Sequence, residues 1–152
     1  MAAKREFTKR ELYERLSFEQ YRVTQFGATE RPFDNEFHRF DGDGTYHCIV
    51  CDEALFSSDH KFNSGTGWPS FWESLDDNRI DCNAERQGSG IENSCATCGA
   101  HLGHLFEDRK TPTRQRYCMN SASLRFAPAE PEARSRVERD PRKREKSAQS
   151  HD

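Results

Sequence analysis

The spacing of apolar residues divides the chain in two. Near the start, Leu12 and Leu16 fall four apart, on one helical face. Thr8 with Glu11, and Ser17 with Gln20, each fit a capping box. These features predict a helix over 8–16 and a second short one over 18–24, both as packing elements without chemistry. After residue 25 no long helical period recurs, and short apolar runs alternate with turn residues. Phe37–Phe40 and Thr45–Ile49 flank Asp41-Gly42-Asp43-Gly44, a hairpin pattern. Further strands are expected at Arg79–Cys82, Gly90–Asn93, Leu102–Phe106, Tyr117–Met119 and Ser123–Phe126, with a tight loop at Gly65-Thr66-Gly67 and Pro69. The expected fold class is mainly β, with antiparallel sheets behind short N-terminal helices.

Composition changes this picture at the C-terminal end. From Ala127-Pro128-Ala129-Glu130-Pro131 onward the chain is dense in charge of both signs, and Val137 is its only large aliphatic residue. Such a segment cannot offset its ordering entropy by burial. The expected organisation is therefore one domain over 1–126 and a charged, disordered tail over 127–152. Hydrophobic residues make up only 33% of the sequence, so the eleven Phe, two Trp and four Tyr must supply much of the core. A formal net charge of −3 leaves no strong field for nucleic acid or an anionic membrane. The first ten residues contain no apolar stretch, and no run approaches the length of a membrane-spanning helix. The expectation is a cytoplasmic monomer with reduced thiols, in which six cysteines serve metal binding or catalysis.

Cys48-Ile-Val-Cys51 and Cys95-Ala-Thr-Cys98 are two Cys-x-x-Cys units. Two-residue spacing lets both sulfurs of a tight turn face one ion, and two such turns complete a tetrahedral site of four cysteines. Gly99 follows the second pair, where a turn with positive φ suits glycine. Four thiolates leave no open coordination position, so the expected cofactor is one structural zinc ion. A redox Cys-x-x-Cys reading lacks the βαβ pattern that accompanies it. A local site of Cys95, Cys98, His101 and His104 would leave Cys48 and Cys51 without a role.

Cys118 stands outside these pairs. Arg116, two residues away, would share its face of a strand and favour the thiolate, with Tyr117 and Met119 pointing into the core. From composition alone, a buried inert cysteine fits as well. His101 and His104 can supply an acid and a hydrogen-bond donor near neutral pH, or can simply be structural. Trp68, Phe71 and Trp72 form an aromatic cluster on a glycine-flanked loop, suited to caging a small apolar group or to ordinary core packing.

Three blocks resemble the signatures of the B-type methionine sulfoxide reductases. They are Ser64-Gly65-Thr66-Gly67-Trp68-Pro69-Ser70-Phe71, then Gly99-Ala100-His101-Leu102-Gly103-His104-Leu105-Phe106, then Arg116-Tyr117-Cys118-Met119-Asn120-Ser121-Ala122-Ser123-Leu124. Tyr21–Gln25 and Thr29–Phe33 resemble the family's N-terminal part, and the likeness runs from about Glu19 to Phe126 with both Cys pairs in register. The resemblance implies a β-rich fold and reduction of the R epimer of methionine sulfoxide, usually within a protein. It implies Cys118 as nucleophile, His101 and His104 on the sulfoxide oxygen, Asn120 holding the site, and Trp68 packing on the substrate methyl group; Phe71 and Arg116 are further candidates for substrate binding. The partners implied are oxidised proteins or peptides and thioredoxin or another thiol reductant.

The chain departs from that pattern in two places. Many members carry a cysteine where this chain has Thr66, and that cysteine resolves the sulfenic acid by forming a disulfide. Cys82 is the one cysteine left without a role; it is a candidate resolving residue or a packed side chain, and it precedes Gln87-Gly88-Ser89-Gly90. Glu107, Arg109-Lys110 and Arg114 stand where Pro or Gly is expected in the loop before the nucleophile. Two other functions compete: a zinc-ribbon binding module, which needs neither Cys118 nor the histidines, and an inactive relative that only binds oxidised methionine.

Overall fold

A computed structural model describes residues 4–83 and 90–129. Both predicted helices form. α1 spans Lys9–Arg15 and α2 spans Phe18–Phe26, and each begins with a complete capping box, at Thr8/Glu11 and Ser17/Gln20. α2 runs beyond its expected end because Gly27, at φ 72°, supplies the left-handed residue that closes it.

Among the described residues every strand pairing is antiparallel. β1 (Gly44–Cys48) lies between β2 (Ala54–Ser57) and β9 (Leu124–Pro128) in a three-stranded sheet. The second sheet has six strands in the order β3 (Lys61–Phe62), β4 (Ser70–Phe71), β8 (Gln115–Met119), β7 (His101–Glu107), β6 (Ile91–Cys95) and β5 (Ile80–Asn83).

The sheets meet through aromatic rings. Phe56 of β2 stacks on Phe71 of β4 with centroids 4.4 Å apart, Tyr46 of β1 meets Phe71 edge-on at 5.1 Å, and Tyr117 of β8 leans on Phe56 at 5.4 Å. Tyr117 and Met119 therefore turn into the core, and the strand period of two sends Arg116 and Cys118 to the other face.

Two expectations need correction. Phe37–Phe40 is not a strand, because both edges of β1 are already taken by β2 and β9. The hairpin partner of β1 is β2, joined through the Cys48–Cys51 turn. Phe37 and Phe40 instead pack edge-on against Tyr46 and Phe126, and the buried Lys61 ammonium donates to the Phe40 carbonyl at 2.7 Å. The folded unit also passes the expected boundary at residue 126: Ala127 and Pro128 pair with Thr45 and Gly44. Residues 130–152 of the expected tail, and Gln87-Gly88-Ser89, lie outside the described residues.

Candidate active site and metal centre

The two Cys-x-x-Cys units fold into matching turns at the ends of β1 and β6. Asp52 N–H donates to the Cys48 carbonyl at 2.8 Å, and Gly99 N–H donates to the Cys95 carbonyl at 2.7 Å. The fourth residue after each first cysteine has positive φ, 83° at Gly99 and 71° at Asp52. Asp52 adopts this conformation at a backbone cost that glycine avoids, and its carboxylate takes an ion pair from Arg125 at 2.6 Å.

The four sulfurs lie within 4.8 Å of one another. Cys48 to Cys98 and Cys51 to Cys95 are each 3.6 Å. A tetrahedral ion with Zn–S bonds of about 2.3 Å sets its sulfurs roughly 3.8 Å apart, so the donor set and spacing fit zinc. Hydrogen bonding with Cys51, Cys95 and Cys98, and then burial, pushes the Cys48 thiol far above its ordinary value. Four thiols this close cannot all ionise without a cation among them. Basic side chains close over the turns: Lys4 donates to the Ala96 carbonyl at 3.0 Å, Arg5 to that of Cys51 at 3.0 Å and Arg15 to that of Val50 at 2.9 Å. His101 and His104 take no part in the cysteine cluster, which disposes of the local four-residue alternative.

On the outer face of the six-stranded sheet, a cleft of about 360 Å³ is lined by Thr66, Trp68, His104, Arg116, Cys118 and Asn120, among others. Its floor is β7 against β8. Cys118 pairs directly with His104, and Ser70 of β4 pairs with Cys118 on the other side. The strands approach so closely at Gly103 that a Cβ there would lie 2.2 Å from the Cys118 carbonyl oxygen.

His101 reaches the same face through an irregularity. Ser94 pairs with His101 and Asn93 with Gly103, leaving Leu102 as an extra residue in β7. Without this bulge, two residues three apart would face opposite ways. With it, the imidazoles lie 5.7 Å apart, His104 at the cleft and His101 buried behind it, its Nδ1 3.3 Å from Glu92 Oε2. Glu92 pairs with His104 across the strands. No spacing in the sequence singled it out, because only the sheet register connects it to the histidines.

Asn120 is buried, and both ends of its amide are engaged in positioning. Oδ1 accepts from Glu30 N–H at 3.0 Å, and Nδ2 donates to the Leu102 carbonyl at 3.0 Å. Glu30 is a second residue that sequence spacing missed. Its carboxylate accepts from the backbone N–H of Ser121 at 2.5 Å and Ala122 at 2.8 Å, and its carbonyl accepts from Trp68 Nε1 at 3.1 Å. It thereby ties the turn after the nucleophile to the aromatic wall. Burial pushes this carboxyl upward, and the Ser121 and Ala122 amides oppose the rise.

The electrostatics around Cys118 are more balanced than Arg116 alone suggested. Burial pushes the thiol up; the Thr66 hydroxyl, the Arg116 charge and the Ser70 hydroxyl act against burial without overcoming it. Arg116 is shared, with Nε 3.2 Å from Asp108 and its guanidinium 4.6 Å above the Phe106 ring. The loop behind it closes on itself through Asp108 N–H to the Arg114 carbonyl at 2.9 Å, and Arg114, which stands where Pro or Gly was expected, takes φ 63°.

Two expected site residues lie elsewhere. Phe71 is fully buried in the intersheet core, because it shares its face with Tyr117 rather than Cys118. Cys82 pairs with Asn93, and through it with Gly103 and Met119, on the core-facing register of the sheet. It is exposed, and Asn93 Nδ2 donates to its sulfur at 3.3 Å.

Residues 16–128 match the SelR domain. The chain is 46% identical over 127 residues to a peptide methionine sulfoxide reductase MsrB of Hahella chejuensis (strain KCTC 2396), covering 82% of this chain and 91% of that one. It is 49% identical to the MsrB of Synechococcus sp. (strain RCC307) over 74% of this chain and 84% of that one. It is also 43% identical to methionine-R-sulfoxide reductase B1 of Drosophila melanogaster, over 81% of this chain and 66% of that one.

Proposed function

This chain belongs to the SelR-domain family of B-type methionine sulfoxide reductases, and from that premise we propose how its own residues carry out the reaction. The protein is an oxidoreductase that reduces the R epimer of methionine sulfoxide to methionine. The observation that carries the reading is the pairing of Cys118 with His104 at the base of a cleft walled by Trp68.

The Cys118 thiolate attacks the sulfoxide sulfur, and its electron pair enters the new S–S contact as the oxygen gains charge. His104 supplies the proton to that oxygen, and His101, held by Glu92, orients His104. Arg116 steadies the thiolate, and Asn120 fixes the turn beside it. Trp68 packs against the substrate methyl group. The S–S and S–O bonds at the methionine sulfur then break as the hydroxyl passes to the cysteine sulfur, so methionine leaves reduced by two electrons and Cys118 is oxidised to a sulfenic acid. One external thiol then forms a mixed disulfide with release of water, and a second displaces Cys118 as a free thiol. Thioredoxin or another dithiol of the cytoplasm fits this role, with the enzyme acting as a monomer. Zinc on Cys48, Cys51, Cys95 and Cys98 would crosslink two distant turns, a purely structural contribution.

The decisive assay supplies dithiothreitol and a peptide containing R-methionine sulfoxide. Wild type is expected to yield methionine and Cys118→Ser none. Substantial turnover by Cys118→Ser would overturn the assignment of the nucleophile, and no turnover by wild type would favour a binding role.

A further inference from the structure

A group beside the nucleophile that the mechanism above leaves unused is the side chain of residue 66. Thr66 sits between Gly65 at φ 78° and Gly67 at φ 93°. A Cβ on Gly67 would lie 2.7 Å from Phe33 N, so the loop can take this path only with glycine there. The path aims the Thr66 hydroxyl at the cleft, with Oγ1 3.7 Å from Cys118 Sγ.

Behind it runs a chain of hydroxyls. Thr66 Oγ1 is 2.8 Å from Ser64 Oγ, Ser64 Oγ is 2.7 Å from Ser70 Oγ, and Ser70 donates to the Trp68 carbonyl at 3.1 Å. Each hydroxyl has one proton to give. The carbonyl can only accept and draws the Ser70 proton, which the charged sulfur also attracts, and Ser64 in turn donates to Ser70. The Thr66 proton is then left with two destinations. It points to Ser64 while Cys118 is protonated, and to Cys118 once the sulfur carries charge. Ser64 keeps a donor in either case, because Thr66 N–H reaches its oxygen at 3.4 Å.

We propose that Thr66 is a further catalytic residue: its hydroxyl donates to the Cys118 thiolate and then to the sulfenic acid that replaces it, with Ser64 and Ser70 setting the direction of its proton. This rests on Cys118 being the nucleophile. A hydroxyl cannot form a disulfide, so the position that resolves the oxidised cysteine in many relatives here holds the sulfenic acid in place until an external thiol arrives.

The test is the pH dependence of Cys118 alkylation by iodoacetamide, followed on the Cys118 peptide by mass spectrometry in zinc-replete protein. The titratable and charged groups facing Cys118 are His104 with His101 and Glu92 behind it, and Arg116 with Asp108; every variant keeps them. Thr66→Val removes the donor and keeps the shape. Its midpoint is expected to rise by roughly one to two pH units, the size of a hydrogen bond to a charged group, with alkylation at neutral pH at least about tenfold slower. Thr66→Ser should return to within about twofold of wild type. Ser64→Ala removes the alternative acceptor, along with the bonds of Ser64 to Ser70 and to Thr66 N–H, and leaves the Thr66 hydroxyl free to turn to the sulfur, so its midpoint should stay at or below that of wild type. A Thr66→Val midpoint equal to that of wild type, or an upward shift in Ser64→Ala as large as in Thr66→Val, overturns the proposal. Should Thr66→Val fail to retain zinc and near-ultraviolet circular dichroism, Thr66→Ala carries the same expectation. The Cys118→Ser reductase assay separates this outcome from failure of the functional reading, since alkylation does not depend on turnover.

Discussion

Cys82 and Cys118 lie three strands apart and on opposite faces of the six-stranded sheet. At a strand spacing of about 4.8 Å, their Cα atoms are separated by roughly 14 Å, twice what a disulfide spans. Loop movement cannot turn a central strand over. Cys82→Ser is therefore expected to leave thiol-supported turnover within about twofold of wild type. Mass mapping after one turnover without reductant should find a sulfenic acid at Cys118, and a Cys82–Cys118 crosslink as the main product would refute this.

Thr66 occupies the place that Cys82 does not. Thr66→Cys puts a thiol beside Cys118, and one turnover without reductant should then give a 66–118 disulfide in place of the sulfenic acid. Dimedone labelling of Cys118, strong in wild type, should fall by about tenfold or more. Equal labelling of the two proteins would mean that the loop holds residue 66 too rigidly for bond formation.

Burial disfavours the charged form of Cys118, so its thiolate fraction is low at neutral pH and grows as pH rises past the ordinary thiol range. The rate of sulfoxide attack in single turnover should rise with pH over that range. Arg116→Met removes a charge that favours the thiolate and leaves Asp108 unpaired beside the cleft, so the rise should move to higher pH. An unchanged profile would show that Arg116 is spent entirely on Asp108.

The two histidines should separate in their effects. His104 borders the cleft, whereas His101 is buried behind it on Glu92. His104→Ala is expected to slow the chemical step by about 10²–10⁴, the usual worth of a general acid, and His101→Ala by less. Single-turnover rates within twofold of wild type for His104→Ala would remove it from the mechanism.

The cysteine cluster joins the ends of β1 and β6, strands of different sheets. Structural zinc carries on the order of 10 kcal/mol of folding free energy in small domains, so Cys95→Ser should lower the melting temperature steeply. Elemental analysis of natively purified wild type should find one zinc per chain, and a folded protein without metal would contradict the site.

What the sequence made legible was local. Capping boxes, paired cysteines and the strand carrying Cys118 depend on neighbours a few residues away, and all appear as expected. What it hid was lateral. Phe37–Phe40 looks like a strand until β1 is seen to have no free edge. Phe71 looks like a cleft residue until its register with Tyr117 turns it inward. Glu92 and Glu30 act across the sheet and across the chain, where no sequence period connects them to their partners.

The extra residue at Leu102 also bears on how this stretch of the gene can change. In a regular ladder a single-residue deletion shifts pairing by one place. Here, deleting Leu102 would restore the regular ladder and leave His101 and His104 two apart, still on one face, because Ser94 and Asn93 would keep their partners. A point substitution at Leu102 alters the packing of a fully buried side chain, whereas a codon lost there removes the bulge and keeps both histidines on one face. The face shared by the two histidines is thus set by the pairing register rather than by a fixed spacing, and drift at the fully buried Leu102 should be confined to exchanges of one apolar residue for another.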